Sequence, residues 1–205
     1  MIKNFEDLNE MHIDVLKEIG NIGSGNASTA LSSMIGKEIL IKMPSVKILG
    51  FQEAIENNGS PEDLVAAVLI RLKNEVEGMI LLLVQKEFAE IILNIFFQKT
   101  DIDLLALDEN DISALSEVGN IMGSSYISAI GTLTGLEVGV EAPSFAVDML
   151  GAIMSVPAIE FGEVGDKLLC IDKSIEIDGV SIKSNMMLIP TVDSLSTLFK
   201  RLGLL

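Results

Sequence analysis

Two stretches of this chain put a carboxylate and an amide one turn apart on what reads as a single helical face: Glu18 with Asn21 in "DVLKEIGNIGSGN", and Glu117 with Asn120 in "SALSEVGNIMGSS". The chemistry open to such a pair is narrow. An Asn amide has no useful basicity near neutral pH, so it abstracts no proton. It can accept one hydrogen bond from a water while donating another to a neighbouring oxygen, and so aim that water at an electrophile. A Glu one turn earlier can hold a cationic group of a partner and fix its docking register. If the partner brings the electrophile, orienting water alone gives ~10²-fold, about 2.7 kcal/mol of barrier. The plain alternative is a solvated polar face, the usual fate of two acids and an amide on a helix.

Recurrence weighs against the plain alternative. Offsetting the chain by 99 residues lays Leu16, Glu18, Gly20, Asn21 and Ile22 on Leu115, Glu117, Gly119, Asn120 and Ile121, and Ala30, Gly36 and Pro44 on Ala129, Gly135 and Pro143. The chain is therefore an internal duplication. The same alignment weakens a phosphate-loop reading of "GNIGSG". Gly23 and Gly25 become Met122 and Ser124, no strand precedes the glycines, and no Lys-Ser/Thr pair follows.

The elements that must position these residues follow from periodicity. Stepping about 100° per residue from Asp14 places Glu18, Asn21, Gly25, Ser28 and Ser32 in one sector, with Leu16, Ile19, Gly23, Ala30 and Met34 opposite. From Ser113 the outward stripe is Glu117, Asn120, Ser124, Ser128 and Gly131, backed by Leu115, Val118, Met122, Ala129 and Leu133. Each copy predicts one long amphipathic helix whose outward stripe continues in side chains small enough for another protein to approach. Asp7 with Glu10, and Asp108 with Asp111, are the expected N-caps, and Gly36 and Gly135 the expected ends. Glycine at 20 and 119 costs about 1 kcal/mol against Ala inside a helix, which asks for a close strand beneath.

After each helix come strands ("EILIKMPSVKILGF"; "EVGVEAPSFAV"), a hairpin ("LVAAVLIRLKNEVEGMILLLV"; "DKLLCIDKSIEIDGVSIKSNMMLIP") and a shorter helix ("KEFAEIILNIFFQ"; "VDSLSTLFKRLG"), with an insertion near 148–165 in the second copy. "QKTDIDLLALDEND" is the expected connector. The fold class expected is α+β: two half-domains related by pseudo-twofold symmetry, residues 1–100 and 101–205, sharing antiparallel sheet and one compact body.

Composition excludes several functions. A formal net charge of −16 over 205 residues opposes nucleic acid and anionic lipid, while 49% hydrophobic residues can supply a core. A lone cysteine, Cys170, and an N-terminus without a charged start and apolar run point to the cytoplasm, and no apolar run nears the roughly 20 residues that span a bilayer, so no membrane insertion is expected.

Asp14-x3-Glu18-x2-Asn21 followed by Pro44, and Ser113-x3-Glu117-x2-Asn120 followed by Pro143, resemble the (Asp/Ser)-x3-Glu-x2-Asn-x22-Pro signature of the CheC/CheX/FliY phosphatases of bacterial and archaeal chemotaxis. The resemblance covers essentially the whole chain, and two signatures on one short chain match the CheC branch. It implies hydrolysis of the phospho-aspartate of the response regulator CheY. Glu18 and Glu117 would bind the regulator's lysine, Asn21 and Asn120 would place the attacking water, and Asp14 and Ser113 would border the contact. Pro44 and Pro143 would shape neighbouring turns. No cofactor or metal of its own is implied; Mg²⁺ would belong to CheY. The resemblance also implies binding of CheD, a receptor deamidase, with Asp148 in the acidic position some relatives use for it. A non-catalytic binding module or adaptor for phosphorylated CheY, CheD or the flagellar switch is the alternative.

Other features point elsewhere. His12 falls on the apolar side of the first helix, as a core or capping residue does. "DIDLLALDEND" lacks the sixth-position Gly of a calcium loop. Cys170 and the ten methionines read first as core, and Ser24, Ser28 and Thr29 lack a nearby base.

Overall fold

The computed structural model describes residues 2, 4–161 and 167–205, with only the backbone at 43, 44, 161, 172, 173 and 183. Six α-helices and one seven-stranded sheet form among them: α1 (Glu10–Ile35), β1 (Ile39–Gly50), α2 (Phe51–Asn58), β2 (Leu64–Asn74), β3 (Gly78–Val84), α3 (Lys86–Phe97), α4 (Glu109–Thr134), β4 (Val138–Val140), β5 (Ser144–Met149), α5 (Leu150–Phe161), β6 (Lys167–Ile177), β7 (Val180–Pro190) and α6 (Val192–Arg201). The class is α+β, as expected, with every strand pair antiparallel.

The strand order β1-β6-β7-β3-β2-β4, with β5 also on β2, reads the same from either end when the two copies are exchanged. β1 of the first copy pairs with β6 of the second, and β4 and β5 of the second pair with β2 of the first. Each copy thus lends its first strand to the other copy's hairpin. β3 and β7 meet at the centre, which is why "GMILLLV" is buried along its whole length.

Alternation along the strands serves two faces. Val68, Ile70, Ile80, Leu82, Met186 and Leu188 join Leu16, Ile19, Leu115, Val118 and Met122 beneath α1 and α4, together with α3 and α6. Val65, Ala67, Met79, Leu81 and Met187 meet Ala54 of α2 and Leu150, Ile153 and Met154 of α5 on the other side. Both α2 and α5 depart from the sequence reading. α2 has no counterpart in the sequence reading, whose strand stretch ends at Phe51, and what reads as an insertion near 148–165 contains α5, the counterpart of α2 at the repeat offset; residues 162–166 of that stretch lie outside the described ones. The Asp-Gly hairpin signal holds: Asp178 and Gly179 both take positive φ between β6 and β7.

Candidate functional site

α1 and α4 lie side by side on one face of the sheet and touch near their middles, where the Ser24 and Tyr126 hydroxyls are hydrogen-bonded at 2.7 Å in a buried contact. Gly23 makes that approach possible, since a Cβ there would stand 2.8 Å from the Tyr126 ring. Burial pushes the Tyr126 phenol up to about 12, and the bond to Ser24 opposes the shift. Gly119 has the role its position asks for: a Cβ would meet Val68 of β2 at 2.6 Å.

The N-termini are fixed differently. α4 starts at Asp108, whose carboxylate accepts from Asn110 and Asp111 N–H while the Asp111 carboxylate accepts from Asp108 N–H. Lys99 of the connector donates to both carboxylates at 2.7 Å. That ammonium holds the Asp108 carboxyl below its ordinary range, helped by the Asp111 amide, and Lys99 is raised in turn, chiefly by its bond to Asp108. α1 starts at Asn9 rather than at Asp7, which belongs to a preceding 3-10 turn. Asn9 Oδ1 accepts from His12 N–H, and His12 Nδ1 accepts from Asn9 N–H, both at 3.1 Å. His12 is buried, its ring 4.4 Å from that of Phe199, so it caps as the sequence implies.

The two acid-and-amide pairs face outward. Glu18, Asn21 and Glu117 are exposed and Asn120 is half-buried at the surface, while Leu16, Ile19, Leu115 and Val118 between them are in the core. Among the described residues none of the four side chains has an intramolecular polar partner, so both carboxylates and both amides are available to another molecule. Asp14 and Ser113 are exposed one turn earlier. Asp14 differs in that Lys17 donates to it at 2.9 Å across one turn, and the repeat places Ser116 where Lys17 stands. Pro143 sits in the break between β4 and β5. Pro44 lies in β1 within the register shift between Lys42 and Ser45, and its side chain is outside the described ones. Asp148 is on β5, opposite Val65, exposed, and accepts from Met149 N–H at 2.7 Å.

The far end of the α1 stripe departs from expectation. Ser28 accepts from Ile41 N–H at 2.8 Å and Ser32 from Ile39 N–H at 2.9 Å, so both hydroxyls are engaged by the edge of β1. Ala30, expected on the apolar side, is exposed. Serines spaced i, i+4 before a strand carry the signal that reasoning from the helix alone passes over. A surface strip runs the length of both helices, through Asp14, Glu18, Asn21, Gly25, Thr29 and Ser33 on α1 and through Ser113, Glu117, Asn120, Ser124, Ser128 and Thr132 on α4; the helices differ beside it, where Ser28 and Ser32 meet β1.

What this arrangement can do is bounded. Among the described residues no three His, Cys, Asp or Glu side chains are grouped to hold a metal ion, and no helix is long and apolar enough to cross a membrane. The pairs stand on convex helix surfaces, which suits contact with a macromolecule that brings its own reactive group. The CheC-like family profile matches residues 11–48 and 112–147, the segments that hold both pairs. The chain is 30% identical over 203 residues to the CheY-P phosphatase CheC of Bacillus subtilis, covering 97% of each chain. It is 29% identical over 146 residues to the flagellar motor switch phosphatase FliY of the same organism, covering 69% of this chain and 37% of that one. The crystal structure of Thermotoga maritima FliY superposes with a TM-score of 0.75 at 22% identity, covering 96% of this chain and 98% of the other.

Proposed function

This chain belongs to the CheC-like family, and we propose on that premise that it is a phosphatase of chemotaxis acting on the phospho-aspartate of CheY. The observation that carries the reading is the exposure of two unpartnered Glu/Asn pairs at equivalent positions of α1 and α4. Glu18 or Glu117 accepts the regulator's lysine, which sets the register of docking. Asn21 or Asn120 then enters the regulator's site. Its carbonyl oxygen accepts from a water and its amide nitrogen donates to a neighbouring oxygen, so the water stands in line with the phosphorus. The water oxygen bonds to phosphorus, the bond from phosphorus to the aspartyl oxygen breaks, and the carboxylate leaves. The water's protons pass to phosphate and solvent. A Mg²⁺ held by the regulator would neutralise charge on the phosphoryl oxygens, leaving orientation to this chain's own residues. Asp14 and Ser113 border the contact, and Pro44 and Pro143 shape the chain beside the two helices. CheD is proposed as a second partner, meeting the exposed Asp148 on β5.

CheY phosphorylated by acetyl phosphate and then separated from it provides the test. Catalytic amounts of this chain accelerate phosphate release through many turnovers. A chain that only binds phosphorylated CheY, as a module or adaptor would, changes release at most in proportion to the complex formed.

A further inference from the structure

The two helices treat their neighbouring edge strands differently. On α1, Ser28 and Ser32 accept the outward N–H groups of Ile41 and Ile39, so the start of the β1 edge is satisfied within the chain. At the repeat offset these serines become Ile127 and Gly131, and Ile39 and Ile41 become Val138 and Val140. Glu141 N–H donates to Arg71 O at 3.1 Å, so strand alternation turns the N–H groups of Val140 and Val138 away from β2, toward the space that the serines fill in the first copy. That space is a groove of about 480 Å³ between α4 and β4, lined by Ile127, Ser128, Gly131, Thr132, Leu136 and Val138 among others.

From this we propose that the groove between α4 and β4 binds an extended peptide segment carrying basic side chains, which pairs with the outer edge of β4. The donors set the chemistry. Two N–H groups two residues apart on a strand stand about 6.8 Å from one another, the repeat of carbonyls on a second strand and too wide for one small anion. The charge sets the sign: Glu137 and Glu141 are exposed at either end of β4, and no basic residue lines the groove. Val140 and Ser128, exposed on the strand and helix walls, offer contact to alternate side chains. This surface is independent of the phosphatase reading. It neighbours the Glu117/Asn120 pair on α4 and has no counterpart on α1, where the serines occupy the donors.

The probe is a synthetic peptide of about nine residues alternating lysine and valine, read at physiological salt by fluorescence anisotropy and by amide hydrogen exchange on the full chain. Binding is expected with exchange slowed at Val138 and Val140. Val140→Pro removes one outward donor at an edge position that tolerates proline and should weaken binding by about tenfold or more. Gly131→Ser restores a hydroxyl where a Cβ meets nothing nearer than Leu136 O at 3.4 Å, and should weaken binding similarly with the fold kept. Absence of binding, equal binding by both variants, protection elsewhere on the chain, or equal affinity for a glutamate–valine peptide would overturn the proposal. Slowed exchange at these amides that depends on protein concentration without peptide would assign the edge to a second copy and also overturn it.

Discussion

α1 and α4 carry one pattern in two settings. On α1 the Glu18/Asn21 pair follows an Asp14–Lys17 ion pair and is followed by serines committed to β1; on α4 the Glu117/Asn120 pair follows neutral Ser113 and Ser116 and is followed by an open groove. α1 is capped by an Asn and a buried His, α4 by two aspartates under Lys99. The Glu and Asn that the proposed chemistry needs are shared, along with core residues and the helix ends at Gly36 and Gly135, whereas the N-caps and the side chains flanking each pair differ. A duplicated site therefore constrains side chains that reach another molecule, and leaves each copy free to find its own way of fixing them.

Substitutions in each setting separate the two helices. The amides apart, the largest effect should come from Glu18→Ala combined with Glu117→Ala, which removes a charge-assisted contact worth about 1.5–3 kcal/mol at each site. The concentration of phosphorylated CheY at half-maximal rate should rise by about ten- to a hundredfold with turnover nearly unchanged. A fall in turnover alone would move the glutamates from docking to chemistry. Next, Gly119→Ala presses a methyl into Val68 and should cost about 1–3 kcal/mol in urea unfolding. Gly25→Ala, in open space on the other helix, should stabilise by up to about 1 kcal/mol, and equal costs would contradict the packing described.

A smaller effect is expected where the helices touch. Tyr126→Phe leaves Ser24 without its partner and should cost about 1 kcal/mol at pH 7. The phenol is held neutral up to about 12, above its unfolded value of 10.0, so its contribution is complete below pH 10 and is lost as pH rises toward 12. Stability of the natural chain should fall through that window, and the Phe variant should fall less steeply. The smallest effect belongs to the cap of α4. Lys99→Met should lower the melting temperature slightly at neutral pH. Asp108 is depressed in the folded state, so the difference should persist above the ordinary carboxylate range and vanish as pH falls through the lowered value.

Much of this was legible in the sequence because the signals are local. The outward Glu and Asn, the helix ends at Gly36 and Gly135 and the Asp-Gly hairpin each depend on neighbours within a few turns, and the repeat at 99 residues shows by comparing such local patterns with one another. α2 was not legible: its eight residues follow a strand without a break, and its one buried residue, Ala54, gains meaning only against α5. The cap at Asn9 was hidden behind Asp7, an equally good cap by residue type, because nothing local says that His12 turns back to accept from Asn9 N–H. The engagement of Ser28 and Ser32 depends on where an edge strand lies, and that is fixed by β1 pairing with β6, more than a hundred residues away.

Water orientation by the two amides is read most directly from the rate of phosphate release from phosphorylated CheY with Asn21→Ala/Asn120→Ala, alongside the affinity of that variant for phosphorylated CheY. Stimulated release is expected to fall by ~10²-fold or more while binding and thermal stability are kept. Stimulated release at the unaltered rate from that double variant would contradict it.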